Sequence, residues 1–156
     1  PVSRWRASGA YVPVKVSPSV AQAAMIGDPV SFPKVRQLVE RYFDDRFFVV
    51  SVTENEIMEG MLKANRHGHV VCTQGGESIA GLKRALAERR IPDTGQFVVD
   101  STSHQLKFAS FQQRYFDNAF GPDYGITTRD ELKNAPVTLE SSASKIAQHL
   151  GLKRKV

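Results

Sequence analysis

The chain has 156 residues, 41% of them apolar and 24% charged, with 21 Lys and Arg against 16 Asp and Glu for a formal charge of +5. That is the composition of one globular domain of average polarity, long enough to bury roughly two-thirds of its unfolded surface. No apolar run approaches the ~18 residues of a membrane span, no apolar signal segment follows Pro1-Val2-Ser3-Arg4-Trp5-Arg6, and the single cysteine, Cys72, cannot close an internal disulfide. A cytoplasmic, reducing location is therefore expected. Three of the excess positive charges are Lys153, Arg154 and Lys155, so residues 151–156 read as a basic tail on a single segment covering 1–156. As a nucleic-acid arm this tail lacks the supporting basic stripe with interleaved aromatics. A solvated terminus explains it without further features, and neither a nucleic acid nor a membrane is expected as partner.

Along the chain, residues 1–16 hold at most a short helix before Gly9 and two prolines break the pattern. Ser17-Pro18 is a helix-start signal leading into a stretch of small side chains, Ala21, Ala23 and Ala24. Ile26-Gly27-Asp28-Pro29 interrupts, and Val35, Leu38, Val39, Tyr42 and Phe43 then recur at the spacing of one buried helical stripe. Phe47 to Val52 is a β-branched and aromatic run of the kind found in strands buried on both faces. Thr53 and Glu56 form a capping box for a helix that buries Ile57, Met58, Met61 and Leu62 and ends near Gly68. His69 to Cys72 predicts a second strand, followed by a helix through Ile79, Leu82 and Leu86. Gln96 to Asp100 predicts a third strand, and a helix with Phe108, Phe111 and Tyr115 follows it. Phe120 to Arg129 reads as loop, and Ala143, Ile146, Ala147 and Leu150 mark a last helix over about 139–150.

Strands alternating with helices predict an α/β fold: a parallel sheet with helices on both faces, its strands near 47–52, 69–72 and 95–100. In such a sheet, ligands bind outside the carboxyl ends of the strands. Two strand-to-helix loops rich in small or hydroxyl side chains, Thr73 to Ser78 and Ser101 to His104, fall at that edge and are the candidate site.

Each constellation has an ordinary structural reading beside the functional one. Ser101-Thr102-Ser103 can hold a phosphate or a heterocycle nitrogen, or one of the three can cap a helix. His104 can act as acid, base or ligand, although bonding to neighbouring backbone is the simpler reading. His67 and His69 share a spacing suited to a metal but lack a third ligand, because Cys72 would face the other way. Gln74-Gly75-Gly76 fits neither G-x-x-x-x-G-K-[ST] nor G-x-G-x-x-G, so its glycines serve close approach to a ligand or close packing of helix on strand. Cys72 reads as a buried strand residue rather than a nucleophile, since nothing nearby in sequence marks a lowered pKa. Ala23 and its neighbours can flank a flat ligand or pack a helix tightly, and spacing does not choose.

Three blocks together carry a family resemblance. Ala23-Ala24-Met25-Ile26-Gly27-Asp28-Pro29-Val30-Ser31 resembles the threonine synthase segment that reads small-x-x-Ile-Gly-Asp/Asn-Pro-Val-Ser. Gly68-His69-Val70-Val71-Cys72, continuing through Gly76 to Leu82, is similar to the plant-type GMFICPHTGVALTAL. Asp100-Ser101-Thr102-Ser103-His104-Gln105-Leu106-Lys107-Phe108 is similar to V-S-T-A-H-G-L-K-F. The blocks lie in family order without internal gaps, from about residue 17 to 116. The chain thus resembles the C-terminal part of a pyridoxal-phosphate-dependent threonine synthase, and the resemblance implies the large domain of a fold-type-II enzyme.

The implied reaction converts O-phospho-L-homoserine and water to L-threonine and phosphate, with pyridoxal phosphate delocalising carbanions. The family's Schiff-base lysine lies in an upstream Ser-Phe-Lys-type motif that these residues do not contain. The chain is therefore expected to be a C-terminal portion, inactive alone, with no catalytic residue of its own and with the N-terminal part of the same enzyme as partner; a homodimer is the assembly the resemblance allows. Carried over residue by residue, Thr102 matches the hydroxyl that bonds the pyridine nitrogen, and Ala23 the small residue against which the ring lies. Ser101 joins them in the expected cofactor site, and His104 matches the family histidine. Gln74 and Gly75 are also included, although they stand where plant-type members carry His-Thr. Gln105 replaces the usual glycine, and Asp100 has no counterpart. The alternatives are another fold-type-II lyase, such as a threonine or serine dehydratase, and a non-catalytic domain that binds through its basic tail.

Overall fold

A computed structural model describes residues 1–152, so the basic tail from Lys153 onward lies outside the described residues. Six α-helices carry the architecture: α1 (Val2–Ser8), α2 (Phe32–Leu38), α3 (Glu54–Arg66), α4 (Thr73–Ala87), α5 (Ala109–Phe116) and α6 (Ala143–His149). A π-helical turn (Val39–Phe43) extends α2, and short 3-10 turns form at Gln22–Ala24, Gln105–Phe108, Pro122–Tyr124 and Asp130–Leu132 among others.

The centre of the fold is the packing of α3 on α4. α3 starts where its capping box dictates: the Thr53 hydroxyl accepts the Glu56 N–H at 3.3 Å, and the Glu56 carboxylate accepts the Thr53 N–H at 2.8 Å. Its apolar face, Ile57, Met58, Met61 and Leu62, is buried. The two helices approach so closely that side chains are excluded at the crossing. A Cβ on Gly60 would lie 2.6 Å from the Gly76 carbonyl oxygen, and one on Gly76 would lie 2.4 Å from that of Ile57. The Glu56 carboxylate also receives the Arg84 guanidinium at 2.6 Å, which ties the far half of α4 to the first turn of α3.

Around this pair the main core gathers Val20, Ala21, Val71, Phe111, Tyr115 and Leu132. The segment after α5 is pinned back on α3 by polar contacts. The Tyr115 hydroxyl accepts the Arg129 N–H at 3.0 Å, Asn55 Oδ1 accepts the Thr127 N–H at 3.1 Å, and Arg129 meets Glu59 at 3.3 Å. A second, separate cluster joins Trp5 of α1 to Phe32 and Val39, with the Trp5 and Phe32 rings edge to face at 5.3 Å.

The parallel sheet with helices on both faces does not form: among the described residues there is no strand, and the β pairing is limited to an isolated antiparallel bridge between Val71 and His104. The fold is helical. Residues 47–52 and 96–100 have the composition of strands but make no backbone hydrogen bond to a neighbouring segment. Phe48 is exposed where a strand buried on both faces is expected, and in the expected third strand Phe97 is exposed and Val98 stands wholly in solvent. Strand propensity expresses packing on a pleated neighbour, and without a partner the backbone has nothing to pair with. The segment 69–72 runs beside 103–105 instead, through Cys72 N–H to the Ser103 carbonyl at 3.1 Å.

Three smaller expectations also change. Ser17-Pro18 starts no helix, because the Ser19 hydroxyl bonds the Glu54 carboxylate and accepts the Ala21 N–H, leaving one 3-10 turn before Gly27. The stripe on α2 is narrower than expected: Phe32 and Val39 are buried, while Leu38, Tyr42 and Phe43 are exposed. α6 forms but buries no side chain.

Gly76→Ala is expected to lower stability by about 1–2 kcal/mol, because the overpacking at the Ile57 carbonyl exceeds the helix propensity that alanine adds; chemical denaturation measures it. Burial would push the Glu56 carboxyl up, but the Thr53 N–H, the Arg84 guanidinium and the Thr53 hydroxyl hold it below its usual range. Its contribution is complete above the ordinary carboxylate pKa and is lost as pH falls through the depressed value. Glu56→Gln is expected to flatten that acid-side decline in a melting-temperature profile.

Candidate functional site

The N-terminal turns of α4 face two other pieces of chain, the 3-10 turn at Gln22–Ala24 and the segment Ser101 to Lys107. Between them lies a cleft of about 360 Å3 lined by Ala23, Ala24, Gln74, Glu77, Ser78, Thr102, Ser103 and Lys107. Two polar anchors build it. The Glu54 carboxylate accepts the Val20 N–H at 2.7 Å and the Ser19 hydroxyl at 3.1 Å, which fixes the chain entering the turn. The buried Gln74 amide is satisfied with its oxygen turned towards the turn, where it accepts the N–H groups of Ala23 at 2.9 Å and Gln22 at 3.2 Å. Ala23 is thereby held at the cleft wall by backbone bonds, leaving its methyl as the only side-chain bulk.

The opposite wall is the hydroxyl loop. Gly75 lets it come close, since a Cβ there would lie 2.8 Å from that of Val71 and 3.3 Å from the Ser101 hydroxyl oxygen. The Thr102 hydroxyl lies 3.8 Å from the Cys72 sulfur. Cys72 is fully buried and occupies the N-cap of α4. Burial pushes its thiol up, but the Ser103 hydroxyl, the Gly75 N–H, the Thr102 hydroxyl and the Gln74 N–H outweigh that and bring it down to about 7. The expectation that nothing lowers the Cys72 pKa is therefore corrected: two of the lowering groups are hydroxyls of a loop about 30 residues away in sequence, and two are N–H groups of the first turn of α4.

None of the three hydroxyls Ser101, Thr102 or Ser103 caps a helix. That role falls to His104, whose Nδ1 accepts the Leu106 N–H at 3.1 Å at the start of the Gln105–Phe108 turn. The hydroxyls of Thr102 and Ser103 are instead set against the Cys72 thiol, while both residues line the cleft.

Of the residues expected from sequence, the structure brings Ala23, Gln74 and Thr102 together on the cleft. Gly75 is buried beside Ser101, which is exposed, and neither lines the cleft; His104 is exposed and turned to its own backbone. Within the expected Thr73 to Ser78 loop the sequence singles out Gln74 and Gly75 but neither Glu77 nor Ser78, and the structure makes that stretch the first turns of α4. The signal was present as helical spacing, because Gln74, Glu77 and Ser78 stand at i, i+3 and i+4 and share one face of α4. Burial, and then the Glu54 carboxylate, push the Glu77 carboxyl up. Lys107 supplies the positive charge on the other side of the cleft.

A larger groove of about 400 Å3 runs between α4 and residues 96–100, lined chiefly by Phe48, Val50, Leu82, Ile91 and Val98. Its polar side chains, Ser78, Gln96 and Asp100, come from α4 and one neighbouring segment, whereas polar groups from three stretches of chain, with the turn Gln22–Ala24 among their walls, converge on the smaller cleft.

Gln74 is expected to act through two accepted bonds. Gln74→Leu loses both and should cost about 1–2 kcal/mol of stability. Gln74→Glu keeps an acceptor towards both N–H groups and should cost less. Equal losses in thermal denaturation would remove the anchor.

No family model matches the chain. Over 97 residues it is 34% identical to a threonine synthase of Methanocaldococcus jannaschii, covering 62% of this chain and 23% of that protein. Over 105 residues it is 29% identical to the chloroplastic threonine synthase 2 of Arabidopsis thaliana, covering 67% of this chain and 20% of that protein. The chain thus spans between a fifth and a quarter of the curated relatives it matches. Among the described residues no helix is long and apolar enough to cross a membrane. The chain is related in part of its length to threonine synthases.

Proposed function

We propose that this chain contributes one wall of a pyridoxal phosphate pocket in a threonine synthase, a lyase that forms L-threonine and phosphate from O-phospho-L-homoserine and water. The observation that carries the reading is the convergence of Ala23, Gln74 and Thr102 on one cleft from three separate stretches of chain. The partial likeness to proteins named threonine synthase supports the family. Partnership with the N-terminal part of the same enzyme, a homodimeric assembly and a cytoplasmic location belong to the same proposal.

The residues present fit a flat, hydrogen-bonding heterocycle. The wall pairs the methyl groups of Ala23 and Ala24 with the hydroxyls of Thr102, Ser103 and Ser78, so one side admits a ring and the other offers donors and acceptors. Pyridoxal phosphate would supply the electron sink for carbanions beside the substrate amine. Thr102 would bond the ring nitrogen and orient the ring. Gln74 holds the Ala23 backbone so that the ring face meets a methyl and no longer side chain. The lysine that carries the cofactor comes from outside these residues, since none of the lysines here lies in a Ser-Phe-Lys context.

Thr102→Val in the protein carrying this chain keeps the β-branched shape and removes only the hydroxyl. An unsatisfied buried acceptor costs about 1–3 kcal/mol. Where that cost falls on the transition state, phosphate release from O-phospho-L-homoserine slows by about five- to 150-fold. The melting temperature should change little, because Thr102 caps no helix. A fall in stability with unchanged kcat would remove Thr102 from the site.

A further inference from the structure

Resting on the reading of this cleft as a pyridoxal phosphate wall, we infer that Cys72 is a positioning residue for Thr102. Its thiol donates a hydrogen bond to the Thr102 hydroxyl oxygen and so leaves that hydroxyl's own hydrogen free for an acceptor nitrogen in the cleft. A hydroxyl has one hydrogen and two acceptor sites. A ring nitrogen that carries no proton can only accept, so Thr102 serves it only as a donor. A neighbour that took the Thr102 hydrogen would leave the nitrogen without a partner. A neighbour that donates to the oxygen turns the hydrogen away from itself and towards the cleft.

The sulfur stands where this role requires. Cys72 Sγ lies 3.8 Å from Thr102 Oγ1, within reach of a hydrogen bond to sulfur, while Thr102 itself lines the cleft. Cys72 is fully buried at the N-cap of α4 and is not among the lining residues, so it reaches a ligand only through its neighbours. Those neighbours sort donors from acceptors. The N–H groups of Gln74 and Gly75, at the start of α4, can only donate, and both are directed at the sulfur. The sulfur's own hydrogen is left for an oxygen, and the hydroxyls of Thr102 and Ser103 both approach it. Of these two, Thr102 is the one in hydrogen-bonding contact. The arrangement is held by backbone, because the Cys72 N–H donates to the Ser103 carbonyl at 3.1 Å and so fixes the hydroxyl loop against the start of α4. Gly75 permits that approach, since a Cβ there would lie 3.3 Å from the Ser101 hydroxyl oxygen.

The test uses the full-length protein that carries this chain, held at about pH 6 so that a thiol with a pKa of about 7 keeps its hydrogen. Without any bound ligand, the infrared S–H band of Cys72 is identified by its loss in Cys72→Ser. It is expected at the lowered frequency of a hydrogen-bonded thiol and should rise in Thr102→Val. A band that stays in place in Thr102→Val, or that moves with Ser103→Ala instead, overturns the inference. A second arm measures phosphate release from O-phospho-L-homoserine with pyridoxal phosphate. Cys72→Ala and Cys72→Val both remove the donor, and each should lower kcat about two- to tenfold, while Cys72→Ser, which keeps an O–H, restores most of it. With Thr102→Val already present, the same two substitutions should change kcat by less than about twofold, because the effect runs through the hydroxyl. An equal fall in both backgrounds marks a merely structural cysteine and overturns the inference. So does a rise in kcat on removing the thiol, which would mean that the sulfur had held the Thr102 hydrogen. The infrared arm decides the matter where a Cys72 variant does not fold. An unmoved band in a protein that takes up pyridoxal phosphate removes Cys72 alone and leaves the cofactor reading standing. A protein that takes up none after dialysis overturns both.

Discussion

The close approach of α3 and α4 at Gly60 and Gly76 is the constraint on which the rest of the structure depends. With backbone meeting backbone at that crossing, the first turns of α4 are held against α3, and the side chains of Gln74, Glu77 and Ser78 are aimed at whatever lies beyond. A larger residue at either glycine would move the helix that carries the candidate site, because interiors packed at crystal density transmit a displacement rather than absorb it. The Glu56–Arg84 pair sets the tilt of α4 from its other half.

The second device is the use of polar side chains to position irregular chain. The turn at Gln22–Ala24 has no helix behind it and few apolar contacts of its own, yet Ala21 just before it is buried. Gln74 of α4 accepts its backbone N–H groups and Glu54 of α3 accepts that of Val20 just before it, which brings a segment some 50 residues distant from Gln74 to the cleft. The same logic holds the far side of the core, where Asn55, Glu59 and Tyr115 capture the chain around Arg129. Such bonds are individually modest, but each satisfies a backbone group that packing would otherwise leave bare.

The cleft that results is electrostatically mixed. It has hydroxyls and a lysine on one wall, an unpartnered carboxyl on the other, and below it a buried thiol lowered by neighbouring hydroxyls and N–H groups. Glu77 is costly there, since burial and Glu54 both oppose its charge. An uncompensated carboxyl at a point where three segments converge has no stabilising part in the fold. Perturbed ionisable groups of this kind concentrate at binding sites.

Much of the helical framework was legible in the sequence. The capping box at Thr53 and the buried face of α3 follow from contacts within a few residues, and a helix closes its hydrogen bonds locally, whereas Thr73 to Ser78, read as a loop, forms the first turns of α4. Ala23, Gln74 and Thr102 were legible as candidates through the resemblance of their surroundings, although what Gln74 does there was not. The sheet was misjudged for the opposite reason: residues 47–52, 69–72 and 95–100 carry strand composition, but a strand exists only when another segment supplies its hydrogen bonds, and composition cannot name that partner. The approach of the Thr102 hydroxyl to Cys72 also rests on neighbours distant in sequence. What is legible without the fold is thus the existence of the helices whose bonds are internal, α3, α4 and α5, with the buried face of α3 and with Phe111 and Tyr115 of α5; α4 buries Gly75, Gly76, Ala80 and Ala85 where Ile79, Leu82 and Leu86 are expected. Only the tertiary structure decided the absence of a sheet among the described residues, the low Cys72 pKa and the company that Glu77 keeps, because each depends on groups that folding alone brings within bonding distance.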